Sequence, residues 1–320
     1  MALKISNLSK RYKDKWVLRD VSFQVSDGEI FGVYGRSGAG KSWLLECLHG
    51  SRQATGGTIG VDGNNPAAGR ARFSSTLEPS PTPFLARLFG RETMEAERTR
   101  RQASIDQAIN NTDQLLLLNN AFGEMDSSDR EKTYDALRKA TNEKGLSVIL
   151  ASNNFDDMLR FCDRVAVLDA GEILQIAPPQ EIYEQPVSKT VAAVTGRNNL
   201  FPARRLTSSK ADVPEFHTID GGHRLFAQHV ERGALGALNQ NVTLGIRPEQ
   251  VSISFGASFP ADNLLKATVD KVTFLGATTL VELDAGGLKL TSLVLRLVGL
   301  AKGDECLVAL PPDRIQIFKD

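Results

Sequence analysis

The chain has 320 residues, 41% of them hydrophobic and 24% charged, with 38 Lys+Arg balanced by 38 Asp+Glu. This composition excludes disordered and fibrous classes, leaves room for two domains each with its own core, and provides no net positive field to draw a nucleic acid or an anionic membrane. Cys47, Cys162 and Cys306 are odd in number and far apart, which suits reduced thiols rather than a disulfide framework, and no stretch approaches the ~20 apolar residues of a membrane span.

From Leu3 to about Thr195 short apolar strands alternate with helical stretches, the pattern of an α/β domain. The strand Glu29–Tyr34 runs into Gly35–Ser42, GRSGAGKS, and the helix Lys41–His49 follows. A G-x-x-x-x-G-K-[ST] pattern between a strand and a helix is a phosphate loop. Its glycines let backbone N–H groups turn onto phosphate oxygens, the helix N-terminus adds positive potential, Lys41 reaches the terminal phosphates and Ser42 can ligate magnesium. The predicted binding residues are therefore Gly35, Arg36, Ser37, Gly38, Ala39, Gly40, Lys41 and Ser42. Trp43, directly after the loop, is bulky where a small hydroxyl residue would be free to contact the inner phosphates.

Further on, Arg91–Arg101 reads as a solvated helix face, and Leu115–Leu118 and Leu146–Ala151 read as buried strands. The first of these strands belongs to LLLLNNAFGEMD, which ends in two neutral amides, Asn119 and Asn120. Past Gly196 the pattern changes. Ala203–Gly236 is polar and rich in turns, and from Asn241 the segments VTLGI, ATVDKVTF, TTLVELD, LKLTSLVL, ECLVAL and RIQIF read as successive short strands. The expected division is 1–196 and 197–320, the second part smaller and all-β. His217, His223 and His229 fall six apart, a spacing that matches no standard ligand pattern, and exposed hairpin histidines are the expectation.

With these motifs placed, the chain resembles the ATP-binding subunits of ABC importers, in the subgroup whose C-terminal TOBE domain accompanies uptake of sugars, polyamines, iron or oxyanions. The resemblance rests on LSKRYKDKWVLRDVSFQVSDGEIFGVYGRSGAGKSWLLECLHG, TGGTIGVDG, FCDRVAVLDAGEILQIAPPQEIYEQP, LGIRPEQVSI and VTFLGATTLVEL, and it covers nearly the whole chain. It implies a P-loop nucleotide-binding domain followed by an OB-like barrel, ATP as ligand, and adenine stacked on Tyr12. It also implies a second nucleotide-binding subunit, an integral-membrane permease, and a cytoplasmic position on the inner face of the membrane.

The same comparison shows departures. Asn119 falls where the family places the aspartate that orients magnesium, and Asn120 where it places the glutamate that polarises water. An amide is a poor magnesium ligand, and loss of a positioned base costs roughly 10²–10⁴-fold. Asn153 takes the place of the switch histidine and cannot carry charge as imidazole does. Glu95–Thr99 (EAERT) stands where the glycine-rich signature is expected, and Thr76 near the expected Q-loop glutamine. About forty residues separate Thr76 from Asn119, so the helical subdomain is expected to be shortened. Magnesium, if held, would rest weakly on Ser42.

The reading is a degenerate ATP-binding importer subunit that hydrolyses poorly or not at all. Two alternatives are a nucleotide- or ligand-sensing regulator no longer coupled to a permease, and an ATPase using displaced carboxylates among Glu124, Asp126, Asp129, Asp156 and Asp157. The last four are turn and helix-start residues, where capping favours acids.

Overall fold

A computed structural model of the chain describes residues 3–61, 103, 105–110, 114–122, 125–209, 213–228, 235, 237–254, 263–295 and 299–319, and the backbone of 73–77. The segment Glu95–Thr99, Glu124 and His229 lie outside the described residues. Contacts divide the chain into two compact units, Met1–Glu184 and Gln185–Asp320. The sequence expectation placed this boundary at residue 196, and the two divisions differ over residues 185–196.

In the first unit a three-stranded antiparallel sheet, β2(Lys15–Val25)-β1(Leu3–Tyr12)-β4(Gly56–Val61), accompanies a six-stranded sheet. The larger sheet has the order β5(Phe73–Leu77)-β6(Leu115–Asn119)-β7(Ser147–Ser152)-β3(Ile30–Tyr34)-β8(Arg164–Asp169)-β9(Glu172–Ala177). All its pairs are parallel except β8–β9. Strands buried on both faces need continuous apolar runs: β3 and β7 are buried at every position and β6 at its four leucines. Strand β2, which covers one side only, buries Val21, Phe23 and Val25 in alternation with exposed neighbours. Phe23 lies on Phe31 of β3 with parallel rings, centroids 4.9 Å apart. Helix α1 (Lys41–His49) buries Leu44, Leu45, Cys47 and Leu48 in the same core.

The second unit consists of two five-stranded antiparallel sheets. One has the order β12(Arg224–Phe226)-β11(Glu215–Thr218)-β10(Asn199–Leu206)-β13(Asn241–Ile246)-β19(Gln316–Lys319). The other runs β14(Ser252–Ser254)-β18(Glu305–Leu310)-β15(Asn263–Phe274)-β16(Thr278–Ala285)-β17(Leu288–Leu295). One core joins them, with Phe201, Phe216 and Leu244 from the first meeting Val269, Val281 and Val308 from the second. Two asparagines stitch the sheets together. Asn199 accepts from the Thr291 N–H at 2.7 Å and donates to the Ile246 and Thr291 carbonyls at 3.1 and 2.9 Å. Asn263 accepts from the Phe226 N–H at 2.7 Å and donates to the Leu310 carbonyl at 2.9 Å.

The expectation of a polar, turn-rich stretch over 203–236 is refined here, because half of β10 and all of β11 and β12 lie within it. These strands are short, and they carry polar residues such as Arg204, His217 and Arg224 between buried positions, so no long apolar run announced them.

Candidate functional site

Strands β6, β7 and β3 are parallel neighbours, so what leaves their carboxyl ends gathers at one edge of the sheet, where open α/β folds place their ligands. Tyr34 pairs with Ser152 and Asn119 with Ala151. The Gly35 N–H donates to the Ser152 carbonyl at 3.4 Å and the Asn120 N–H to the Ala151 carbonyl at 2.7 Å, so both departing loops are fixed to the end of β7. The loop Gly35–Ser42 connects β3 to α1. A Cβ on Gly35 would lie 2.3 Å from the Leu168 carbonyl oxygen; Gly40, at φ +112°, would put one 2.7 Å from the Val17 oxygen. Neither position admits a side chain.

Lys41 is half-buried, and its Nζ donates to the carbonyls of Gly35 at 2.6 Å and Arg36 at 3.1 Å, closing the loop on itself. Burial lowers its pKa from the usual lysine value. Arg36, Ser37 and Gly38 are exposed, while Ala39 is buried and its carbonyl accepts from the Gly171 N–H at 2.9 Å. Ser42 is exposed, and its Oγ accepts a hydrogen bond from Asn119 Nδ2 at 3.1 Å. Asn120 holds φ +47°, a left-handed conformation that asparagine takes far more readily than most residues. Asn153 is exposed beside Asn154, whose side chain caps the helix Phe155–Phe161 by accepting from the Asp156 N–H at 3.1 Å.

Tyr12 is 47% exposed at the end of β1. Its ring lies 4.9 Å from that of Trp43, and the Arg52 guanidinium sits 4.3 Å from the Trp43 ring centroid. Sequence reasoning named Tyr12 and found Trp43 anomalous, and it did not pair them. They are 31 positions apart, and no periodicity links a strand end to the first turn of a helix three elements away.

The family model described as ABC transporter matches residues 18–145, and the model described as TOBE domain matches residues 244–318. The chain thus carries an ABC transporter domain followed by a TOBE domain. It is 25% identical to the spermidine/putrescine import ATP-binding protein PotA of Rubrobacter xylanophilus, over 98% of this chain and 89% of that protein. It is 25% identical to the molybdate/tungstate import ATP-binding protein WtpC of Pyrococcus horikoshii, over 99% of both. It is also 26% identical to PotA of Protochlamydia amoebophila, over 89% of this chain and 86% of that protein.

ABC transporter ATPases bind ATP, typically with magnesium, and the residues at this sheet edge do not fit that cation. One lone pair of Ser42 Oγ is taken by the Asn119 amide, Asn119 and Asn120 bring no charge, and among the described residues no group of three or more His, Cys, Asp or Glu is placed to hold a metal. The described acids have other partners. Asp126 caps the helix Ser127–Lys144 by accepting from the Asp129 N–H at 2.9 Å. Asp129 accepts from Lys132 at 3.3 Å. Asp157 is buried, accepts from Ser152 Oγ at 2.8 Å and pairs with Arg130 at 2.9 Å. Desolvation raises its pKa above the ordinary aspartate value, against the lowering effects of Ser152 and Arg130. Asp156 is exposed. This Arg130–Asp157–Ser152 chain, which ties one helix start to the end of β7, carries no motif in the sequence. His223 Nε2 lies 2.6 Å from the Ala285 carbonyl oxygen in the second unit.

Proposed function

We propose that this ABC transporter subunit holds a nucleotide on the loop Gly35–Ser42, with adenine against the Tyr12–Trp43 aromatic pair, and does not turn it over at a useful rate. It serves solute import alongside a membrane permease and a second nucleotide-binding subunit, at the inner face of the membrane. Among the described residues no helix is long and apolar enough to cross a membrane, so another subunit supplies the span. The relatives that import polyamines or molybdate and tungstate define the solute classes to test first.

The observation that carries the reading is a complete phosphate loop whose serine is bonded to an amide rather than a carboxylate. Loss of a positioned base removes roughly 10²–10⁴-fold of rate, and the engagement of Asp126, Asp129 and Asp157 elsewhere leaves none of them a ready replacement. ATP binding measured by calorimetry is expected for the purified protein and is lost in Lys41→Ala. Phosphate release should stay at background alone and with membranes from the native host, from which the subunit co-purifies with a permease. Steady phosphate release that disappears in Lys41→Ala would defeat the claim of inactivity. A protein that never associates with membranes would defeat the importer role.

A further inference from the structure

We infer that the phosphate loop takes its nucleotide as the metal-free polyphosphate anion, with Ser42 donating its hydroxyl proton directly to a phosphate oxygen; this rests on the nucleotide-binding reading above. The first argument is hydrogen-bond polarity. A serine that serves a cation must turn a lone pair toward it and give its proton to a neighbouring acceptor. Here Asn119 Nδ2 donates to Ser42 Oγ at 3.1 Å, so the hydroxyl receives from the protein and its own proton is left for the ligand. A phosphate oxygen accepts that proton; a cation is repelled by it.

The second argument is charge balance. Strand-end carboxylates beside a phosphate loop repel the phosphates, and a divalent cation relieves that repulsion. At this sheet edge the ends of β6 and β7 present Asn119, Asn120 and Asn153, all neutral, while acids stand at Asp169, where β8 ends, and at the exposed Asp156. The buried carboxylate nearby, Asp157, is matched by Arg130 at 2.9 Å. Positive potential remains from Lys41 and from the first turn of α1, which contains no acidic residue. Lys41 Nζ now rests on the Gly35 and Arg36 carbonyls and can exchange those neutral acceptors for charged phosphate oxygens. Magnesium bound to the nucleotide would compete with Lys41 and Ser42 for the same oxygens.

The test is calorimetric titration of the full chain with ATP, once in EDTA and once in excess magnesium. Binding should be tighter in EDTA by about tenfold, the worth of one hydrogen bond to a charged group. In Asn119→Asp, with folding checked by its melting curve, the preference should reverse, since the new carboxylate takes the Ser42 proton and repels uncomplexed phosphate. In Ser42→Ala, which removes the hydroxyl without adding charge, affinity in EDTA should fall about tenfold. Binding that is clearly tighter with magnesium overturns the inference and leaves nucleotide binding intact. Equal affinities in both buffers for the unaltered chain and for Asn119→Asp also overturn it. Absence of binding in both buffers removes the nucleotide-binding reading along with it.

Discussion

Asn120 shows how a neutral side chain can suit the backbone that carries it. Its φ of +47° and its N–H bond to the Ala151 carbonyl place it in a tight left-handed turn at the end of β6. Placing a carboxylate there works against the backbone, since a longer side chain meets the left-handed region with a penalty on the order of 1 kcal/mol. Asn120→Glu is therefore expected to lower the melting temperature slightly, and Asn119→Asp with Asn120→Glu together should still release no phosphate above background. Asn153 and the EAERT segment remain unchanged in that variant, and a steady ATPase in it would show that two strand-end acids suffice for turnover.

At the scale of elements, legibility followed the length and purity of the hydrophobic signal. The buried parallel strands β3, β6 and β7 and the helix α1 were placed to within a residue or two, because runs such as EIFGVY and LSVILA have no competing interpretation. Strands β11 and β12 were not, because their few buried apolar residues are interrupted by polar ones whose partners are brought in by the fold. Glu215 is fully buried in β11 and accepts from the N–H and hydroxyl of Ser209, both at 2.8 Å, and from Arg224 of β12. Desolvation pushes its pKa up, but the Ser209 and Arg224 hydrogen bonds outweigh it, and the net shift is downward. A carboxylate with a lowered folded pKa stabilises fully above its unfolded value and loses that contribution as pH falls through the folded value. Glu215→Gln should thus cost on the order of 1–3 kcal/mol at neutral pH, and its stability should decline less steeply than that of the unaltered chain in acid, as followed by denaturant titration. An equally steep acid limb would place the linkage elsewhere. At the candidate site, the loop was legible as a motif, while the Tyr12–Trp43 contact and the Asp157 pairing were not, since each joins residues that only the tertiary fold brings together.

At the scale of the whole molecule, residues 185–196 decide where the second unit starts. Ser188 caps the helix Lys189–Val194 by accepting from the Val191 N–H at 3.3 Å. Arg247, only 1% exposed, donates to the carbonyls of Ala192 at 3.3 Å and Arg197 at 3.1 Å and to Thr195 Oγ1 at 3.2 Å. A fragment 185–320 should fold cooperatively on its own. A fragment 198–320 removes these acceptors from a buried guanidinium and should be weaker by about 1–3 kcal/mol, measured by chemical denaturation of the two. Equal stabilities would mean that Arg247 finds water or other partners at no cost.

The buried guanidinium also bears on how such chains can be shuffled over time. A gene fusion that grafts this β unit onto a different nucleotide-binding module, or replaces it with another, has to break upstream of Ser188. A crossover at the compositional change near Gly196 would separate Arg247 from the Ala192 carbonyl and the Thr195 hydroxyl. A unit that can be exchanged intact is then longer than the β-sheets themselves, since it includes the helix Lys189–Val194.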